Sequence, residues 1–253
     1  MNAKITCVYD EGSLPKTNLI GAKGFSVMVE SEGKRLLFDT GLRGRYLIHN
    51  MDVLGIEPDS IDAVVVSQDH PDNRGGLDDL LCARTKPVDV YIPPGMYSGA
   101  GGFLSRKPKL SENASANAIL HDITEWFEPI PGVHISPQME YVDGYRESFM
   151  AVRGRKLTVV SGRGHAGPTI PVAEVSSYFN RNVAAFVGSV HLEKKKKIVA
   201  DAYAKAFSDN GITDINLNHA VGIDGMMNLR VQLGLPTVKD FYVGMTYEPG
   251  PSI

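Results

Sequence analysis

Short apolar runs that each lead into a histidine-bearing loop constrain this chain more than any other feature of it. Residues 62–67 (DAVVVS) lead to His70, LTVVSG leads to His165, INLN leads to His219, and AAFVGSV leads to a fourth, His191. A nearly continuous apolar run of this length is the pattern of a strand covered on both faces. Such strands need helices over them, and loops held at their ends are where catalytic and metal-binding groups concentrate. One histidine in this position is ordinarily a surface or satisfied core residue. Three or four at equivalent strand ends point to convergence on one site.

The rest of the chain fits a layered α/β arrangement. Further strands are predicted at 5–9, 25–30, 35–39 and 88–92, with Glu32-Gly33 as a hairpin turn. The second half adds strands at 156–161, 184–190 and 214–218. Helices are predicted at 45–54, 77–83, 172–179, 195–208 and 224–233. In the first, Tyr46, Leu47, Asn50, Met51 and Leu54 form one face, and Gly55 ends it. The 195–208 helix places Ile198, Val199, Ala202, Tyr203, Ala206 and Phe207 on one stripe before the stop at Asn210-Gly211. Residues 94–118 are rich in Gly, Ser, Lys, Pro and Asn, without periodicity. They read as a long loop or lid, equally suited to a homodimer contact. The expectation is one domain over 1–253.

Composition narrows the function classes. The net charge of −3 gives no footprint for nucleic acid, and 43% hydrophobic with 22% charged residues is ordinary for a globular protein. Cys7 and Cys82 lie far apart without CxxC spacing, so neither a metal knuckle nor a disulfide framework follows. Both sit beside apolar residues and read as buried thiols. The start, MNAKITCVYDEG, carries charge early and has no apolar stretch, which argues against a secretory signal. No run approaches the ~20 apolar residues of a membrane helix. The cytoplasm is the expected compartment, and a small molecule the expected partner.

Around the first histidine the sequence is Ser67-Gln68-Asp69-His70-Pro71-Asp72-Asn73-Arg74-Gly75-Gly76-Leu77. His70 and Asp72 offer an imidazole nitrogen and a carboxylate oxygen, both good zinc ligands, two residues apart in a loop. Alone, this spacing is a weak signal. The segments GFSVMVESEGKRLLFDTG, LGIEPDSIDAVVVSQDHPDNRGGLDDL, SGRGHAGP, VGSVHL and NHAVG, in that order, resemble the metallo-β-lactamase superfamily. More narrowly they resemble its dihydropterin ribofuranosyl-aminobenzene phosphate synthase-like branch. The resemblance runs from about residue 4 to 246 and is weakest over 94–140. It implies a four-layer αββα sandwich with a metal site at the edge of its two sheets.

The chain departs from that family's HxHxDH motif, whose positions fall on Gln68, His70, Asp72 and Asn73. The later histidines of the family match His165 and His219. The resemblance therefore implies one metal position made by 68, 70 and 165 and another by 72, 73 and 219, each short of one imidazole here. Asp39, in the Phe-Asp-Thr-Gly motif, resembles the aspartate that orients the metal loop from behind. Amide oxygens are weak zinc ligands beside imidazole. Three states stay open: one zinc or other divalent ion held by His70, Asp72, His165 and His219, with Gln68 and Asn73 as weak candidates; no metal; or, less favoured, a full dinuclear centre. Four protein ligands would leave no place for an activated water.

Asp72, His165 and His191 are the candidate catalytic residues, and Arg74, Arg163 and Glu147 the candidate substrate-binding ones. Lys194–Lys197 reads as a solvated helix start, although cations there oppose the helix dipole and suit an anionic ligand. Met226 and Met227 read as core filler. Trp126 and nearby tyrosines are candidates to line a ligand beneath the lid. The favoured function is a metal-dependent, hydrolase-like enzyme with an altered, mono-metal or metal-poor site and a small anionic substrate. The alternative is a non-hydrolytic group (methyl) transferase or binding protein for a pterin or tetrahydrofolate-type ligand. A catalytically silent binding module is a third possibility.

Overall fold

Alternation within single strands explains the layering. In Val27-Met28-Val29 and Leu36-Leu37-Phe38, the outer residues of each triplet enter one apolar cluster and the central residue enters another. Successive side chains of a strand point to opposite faces, so a strand apolar on both must be covered twice. The structure, a computed structural model, describes residues 2–97, 108–141, 144–217 and 219–250.

Strands β1 (Ala3–Tyr9), β2 (Ser26–Ser31), β3 (Lys34–Phe38), β4 (Ala63–Val65), β5 (Val88–Ile92) and β6 (Ala118–Asp122) build one sheet, with β16 (Thr246–Tyr247) at its edge. The second sheet contains β7 (Phe127–Ile130), β8 (Val133–Ile135), β11 (Met150–Val152), β12 (Thr158–Ser161), β13 (Ala185–Gly188), β14 (Asp214–Leu217) and β15 (Val238–Asp240). A small hairpin, β9 (Met139–Glu140) with β10 (Arg146–Glu147), stands apart. Both large sheets mix antiparallel and parallel pairs.

The two sheets face each other across a core of Ile5, Val27, Leu36, Phe38 and Val65 against Val133, Ile135, Met150, Val160 and Val187. Outside the first sheet lie α1 (Gly44–Val53) and α3 (Leu77–Cys82), which bury Leu47, Met51, Leu77, Leu80 and Leu81. The four-residue α2 (Pro71–Arg74) precedes α3, and α4 (Glu112–Ala116) packs on the same side through Ala114. Outside the second sheet, α5 (Thr169–Phe179), α6 (Lys197–Asp209) and α7 (Gly222–Leu233) bury Val172, Val175, Ala204, Phe207 and Leu229. Each such Val, Leu, Met or Phe side chain contributes about 1.5–3 kcal/mol when fully withdrawn from water. The order of layers is helix, sheet, sheet, helix.

Several expectations change. Part of the 94–118 loop folds as α4 and the start of β6, while 98–107 fall outside the described residues. Helix α6 begins at Lys197, two residues late, and Lys194 takes a left-handed φ of 61°. Its buried face is Ala200, Ala204 and Phe207, whereas Ile198 is 72% exposed. Cys7 is buried, but Cys82 is exposed at the end of α3. Met226 enters the core and Met227 faces outward. Trp126 stacks on Tyr178 at 4.2 Å and packs edge-on to Phe149, so it fills the second sheet's outer layer. No helix among the described residues is long and apolar enough to cross a membrane.

Candidate functional site

Parallel registry brings the histidines together. Ser161 of β12 pairs with Gly188 of β13, which pairs with Leu217 of β14. His165, His191 and His219 therefore follow one row of the sheet by four, three and two residues (165 − 161, 191 − 188, 219 − 217). Across the core, Phe38 of β3 pairs with Val65 of β4, so Asp39 and the loop from Ser67 to His70 leave the first sheet together. Ligand sites in open α/β sheets form at such carboxyl ends. Asp39, His191 and Ala220 all adopt left-handed φ, at 62°, 48° and 53°. Non-glycine residues in that region cost on the order of 1 kcal/mol or more and cluster at functional sites.

Asp39 is the buried anchor. Its carboxylate accepts from the Ser67 N–H at 2.7 Å, the Ser67 hydroxyl at 2.8 Å and the Asn73 amide at 2.7 Å. Burial pushes its pKa up to about 7, against the opposing pull of those hydrogen bonds. Gly162 lies directly over it: a Cβ there would stand 2.1 Å from Asp39 Oδ2 and 2.9 Å from both Ser67 Oγ and Asn73 Nδ2. Only glycine lets the end of β12 approach this closely. Asp39 thus ties together Ser67 and Asn73, the two ends of the 67–73 loop.

The centre of the site is Arg163. Its Nη1 donates to Asp72 Oδ2 at 2.5 Å, and its Nε donates to His165 Nε2 at 3.0 Å. The Ser189 hydroxyl holds the Arg163 carbonyl at 2.7 Å. Burial raises the Asp72 carboxyl, but the hydrogen bond and charge of Arg163 outweigh it and leave it below the usual range. His70 accepts the Asp72 N–H on Nδ1 at 3.1 Å. Burial, then the Arg163 charge, lowers its pKa against the attraction of Asp72. His165 falls to about 3, through burial first and then the charges of His191 and Arg163. His191 falls to about 4, through burial first and then Arg163 and Lys195. The imidazoles of His165 and His191 lie 4.4 Å apart and are neutral at neutral pH.

The remaining candidates take mixed positions. His219 is fully buried, with Nδ1 at 3.3 Å from Glu11 Oε1. That contact holds the Glu11 carboxyl below its ordinary value. Glu147 is buried and accepts the Gly164 N–H at 3.2 Å, so it positions the loop before His165 rather than facing solvent. Burial pushes Glu147 up to about 7. Arg74 turns away from the cluster to Asp69, with Nε 2.5 Å from Oδ1. Lys23, 3.9 Å from Asp72, escaped the sequence reading; Tyr145 stacks on His165 at 3.9 Å and 5°. Lys23 sits in a Gly-Ala-Lys-Gly stretch just before β2, where its loop position was the available signal.

A cleft of about 350 Å³, lined by Gln68, Asp69, Pro93, Pro94, Gln138, Tyr145 and Arg146 among others, opens beside the cluster. A larger cavity of about 660 Å³ lies around Asn2, Lys4, Glu30 and Glu248, with no histidine in its lining. Buried acceptors at the cluster, Gln68 Oε1 and Asn73 Oδ1, have no protein partner, nor does His219 Nε2.

The donor set does not fit a divalent ion. At positions 68, 70 and 165, one donor is an amide, His70 spends its Nδ1 lone pair on Asp72 N–H, and His165 spends its Nε2 lone pair on Arg163. At 72, 73 and 219, the carboxylate is paired with Arg163, which leaves only the weak amide donor Asn73 Oδ1 and His219 Nε2 open. Among the described residues, no three His, Cys, Asp or Glu side chains group so as to hold an ion. Metal ligands must present free lone pairs, and a fixed cation among them opposes a second.

Known proteins share this fold. Residues 20–137 match the metallo-beta-lactamase superfamily model, so this part of the chain is similar to that superfamily. Its fold is shared with Tm1679, a metal-dependent hydrolase of the beta-lactamase superfamily, at a TM-score of 0.77 and 22% identity over 97% of this chain and 98% of that one. Distant similarity links it to the 7,8-dihydropterin-6-methyl-4-(beta-D-ribofuranosyl)-aminobenzene-5'-phosphate synthase of Methanocaldococcus jannaschii, 36% identical over 75 residues, 29% of this chain and 26% of the relative. The exodeoxyribonuclease WalJ of Streptococcus pneumoniae serotype 2 is 31% identical over 71 residues, 28% of this chain and 26% of the relative. The matched region spans about a quarter of each curated relative's length.

Proposed function

We propose that this protein is a hydrolase-like enzyme of the metallo-β-lactamase fold that acts on a small anionic substrate at a metal-poor site. One observation carries this reading: the guanidinium of Arg163 links Asp72 and His165 at the centre of the histidine cluster. A cation placed there, with Lys23 and Lys195 nearby, attracts an anion without a metal. His191 Nδ1 has no protein partner and is the acid–base group of this proposal. An anionic substrate would offset the charges that depress His191, raising its basicity when substrate is bound. Asp72, held by Arg163, orients the loop carrying His70.

The test is turnover of small phosphoesters and lactones by chelator-treated full-length protein. Activity that survives the chelator and is lost in His191→Ala supports the proposal. Activity seen only after a divalent ion is restored would overturn it.

A second reading is favoured by one contact. Tyr145 stacks on His165 beside a cleft that offers the Gln68 and Gln138 amides and two prolines, a slot suited to a flat heteroaromatic ring. The name of the archaeal relative, a dihydropterin compound's synthase, agrees with a pterin or tetrahydrofolate-type ligand. In this reading the protein binds such a ligand or transfers a methyl or similar group. Saturable quenching of Tyr and Trp fluorescence by tetrahydrofolate, weakened in Tyr145→Ala, is expected. No saturable change would exclude it.

A further inference from the structure

A carboxylate oxygen and an imidazole nitrogen directed at one point are the donors a divalent cation recruits. Here Asp72 Oδ2 and His165 Nε2 do converge, and what they converge on is Arg163. The three side chains come from two separate segments: Asp72 from α2 beside the first sheet, Arg163 and His165 from the loop after β12. The arginine side chain is 12% exposed and the aspartate 5%, so the contact is nearly withdrawn from solvent. It is also built in from behind. The Arg163 carbonyl is tied to the Ser189 hydroxyl, and Gly164, at φ 73°, would drive a Cβ to within 2.1 Å of the Ser189 carbonyl oxygen.

We infer that Arg163 is a resident substitute for the metal ion: its guanidinium occupies the point between Asp72 and His165, joins the two halves of the site and shuts a divalent cation out. A guanidinium stays protonated at any accessible pH, offers only donors and has no coordination position to give away. It satisfies a carboxylate and an imidazole lone pair at once, as an ion would, but carries one positive charge on a tether that cannot be chelated. This inference deepens the metal-poor reading above. It differs in stating that the capacity for metal is masked, and that removing one side chain uncovers it.

In Arg163→Ala, the Asp72 carboxylate and the His165 Nε2 lone pair lose their partner and become free donors, with His70 beside them. The experiment is a titration of the full chain with zinc alone against a chromophoric competitor, in wild type, Arg163→Ala, Arg163→Lys and Arg163→Ala with His165→Ala. Arg163→Ala is expected to bind one zinc ion at least about tenfold more tightly than wild type, and the added His165→Ala to abolish the gain. Arg163→Lys, which keeps a cation, is expected to show no gain. If Arg163→Ala is unfolded by itself, zinc is expected to restore its thermal transition. Equal zinc affinity in wild type and Arg163→Ala, or an unfolded variant that zinc does not rescue, would overturn the inference. Because the readout is binding and not turnover, an inactive wild type would count against the proposed function while leaving this result intact.

Discussion

Arg163 and Asp72, 91 residues apart in sequence, form a hydrogen-bonded ion pair in which both side chains are almost wholly buried. Removing one member of a buried pair leaves the other charge uncompensated, at a cost of about 3–5 kcal/mol. Arg163→Met is therefore expected to lower stability in urea by about 3 kcal/mol, and adding Asp72→Asn to recover part of that loss. A loss within about 0.5 kcal/mol would identify the pair as an ordinary surface contact.

Asp39 gathers three donors from Ser67 and Asn73. Asp39→Asn turns one acceptor into a donor facing another, and an unsatisfied buried group costs about 1–3 kcal/mol. The expected signature is local as well as global: amide exchange at Ser67 should quicken more than at Val64 in mid-strand β4. Equal change at both positions would show only general destabilisation.

Gly162 tests the same anchor from the opposite side. An added methyl would overlap Asp39 Oδ2 at 2.1 Å, and nothing in that contact is the free end of a long side chain. Overpacking of this kind costs typically 1–3 kcal/mol, so Gly162→Ala should unfold at distinctly lower urea than wild type. Gly33→Ala makes the comparison, since a Cβ there meets no atom within 4 Å, although its φ of 77° still carries backbone strain. Gly162→Ala is expected to cost more. The reverse order would mean that the approach to Asp39 is loose.

The titrating groups of the site act with opposite signs. His165 and His191 sit at about 3 and about 4 instead of 6.5, so the folded state binds fewer protons than the unfolded chain below 6.5. Their contribution is present above 6.5 and is lost as pH falls towards those values. Glu147 and Asp39 sit at about 7, above the carboxylate range, so their contribution is full in acid and lost as pH rises through about 7. His191→Asn should thus make stability fall less steeply from neutral pH towards about pH 4. Glu147→Gln should make it fall more steeply. Urea titrations across that range decide it, and the opposite ranking would contradict the assigned shifts.

Much of this was legible in the chain. The strand over 88–92 matches β5 in full, because its apolar run is bounded by turn residues on both sides. The α1 face was readable from its spacing, including Asn50, whose amide donates to the carbonyls of Val8 and Ile20. The strands between 127 and 152 were not, since β7 to β11 are two to four residues long and take their register from neighbours. The α6 stripe was read in part: Val199, Tyr203 and Phe207 do pack on the core, but Ala200 and Ala204, small enough to let the helix approach, give little hydrophobic signal beside the exposed Ile198. The gathering of His165, His191 and His219 followed from strand ends alone. The place of Arg163 did not: as one residue of a polar loop it carried no mark of a partner 91 positions away.

The metal content of the protein, expressed with supplemented zinc and purified without chelator, bears most directly on the proposal of a metal-poor site. With Arg163 holding Asp72 and His165, zinc, iron and manganese are expected well below one equivalent per chain, with a thermal transition that EDTA does not move. One or two tightly held equivalents per chain, whose removal lowers that transition, would contradict it.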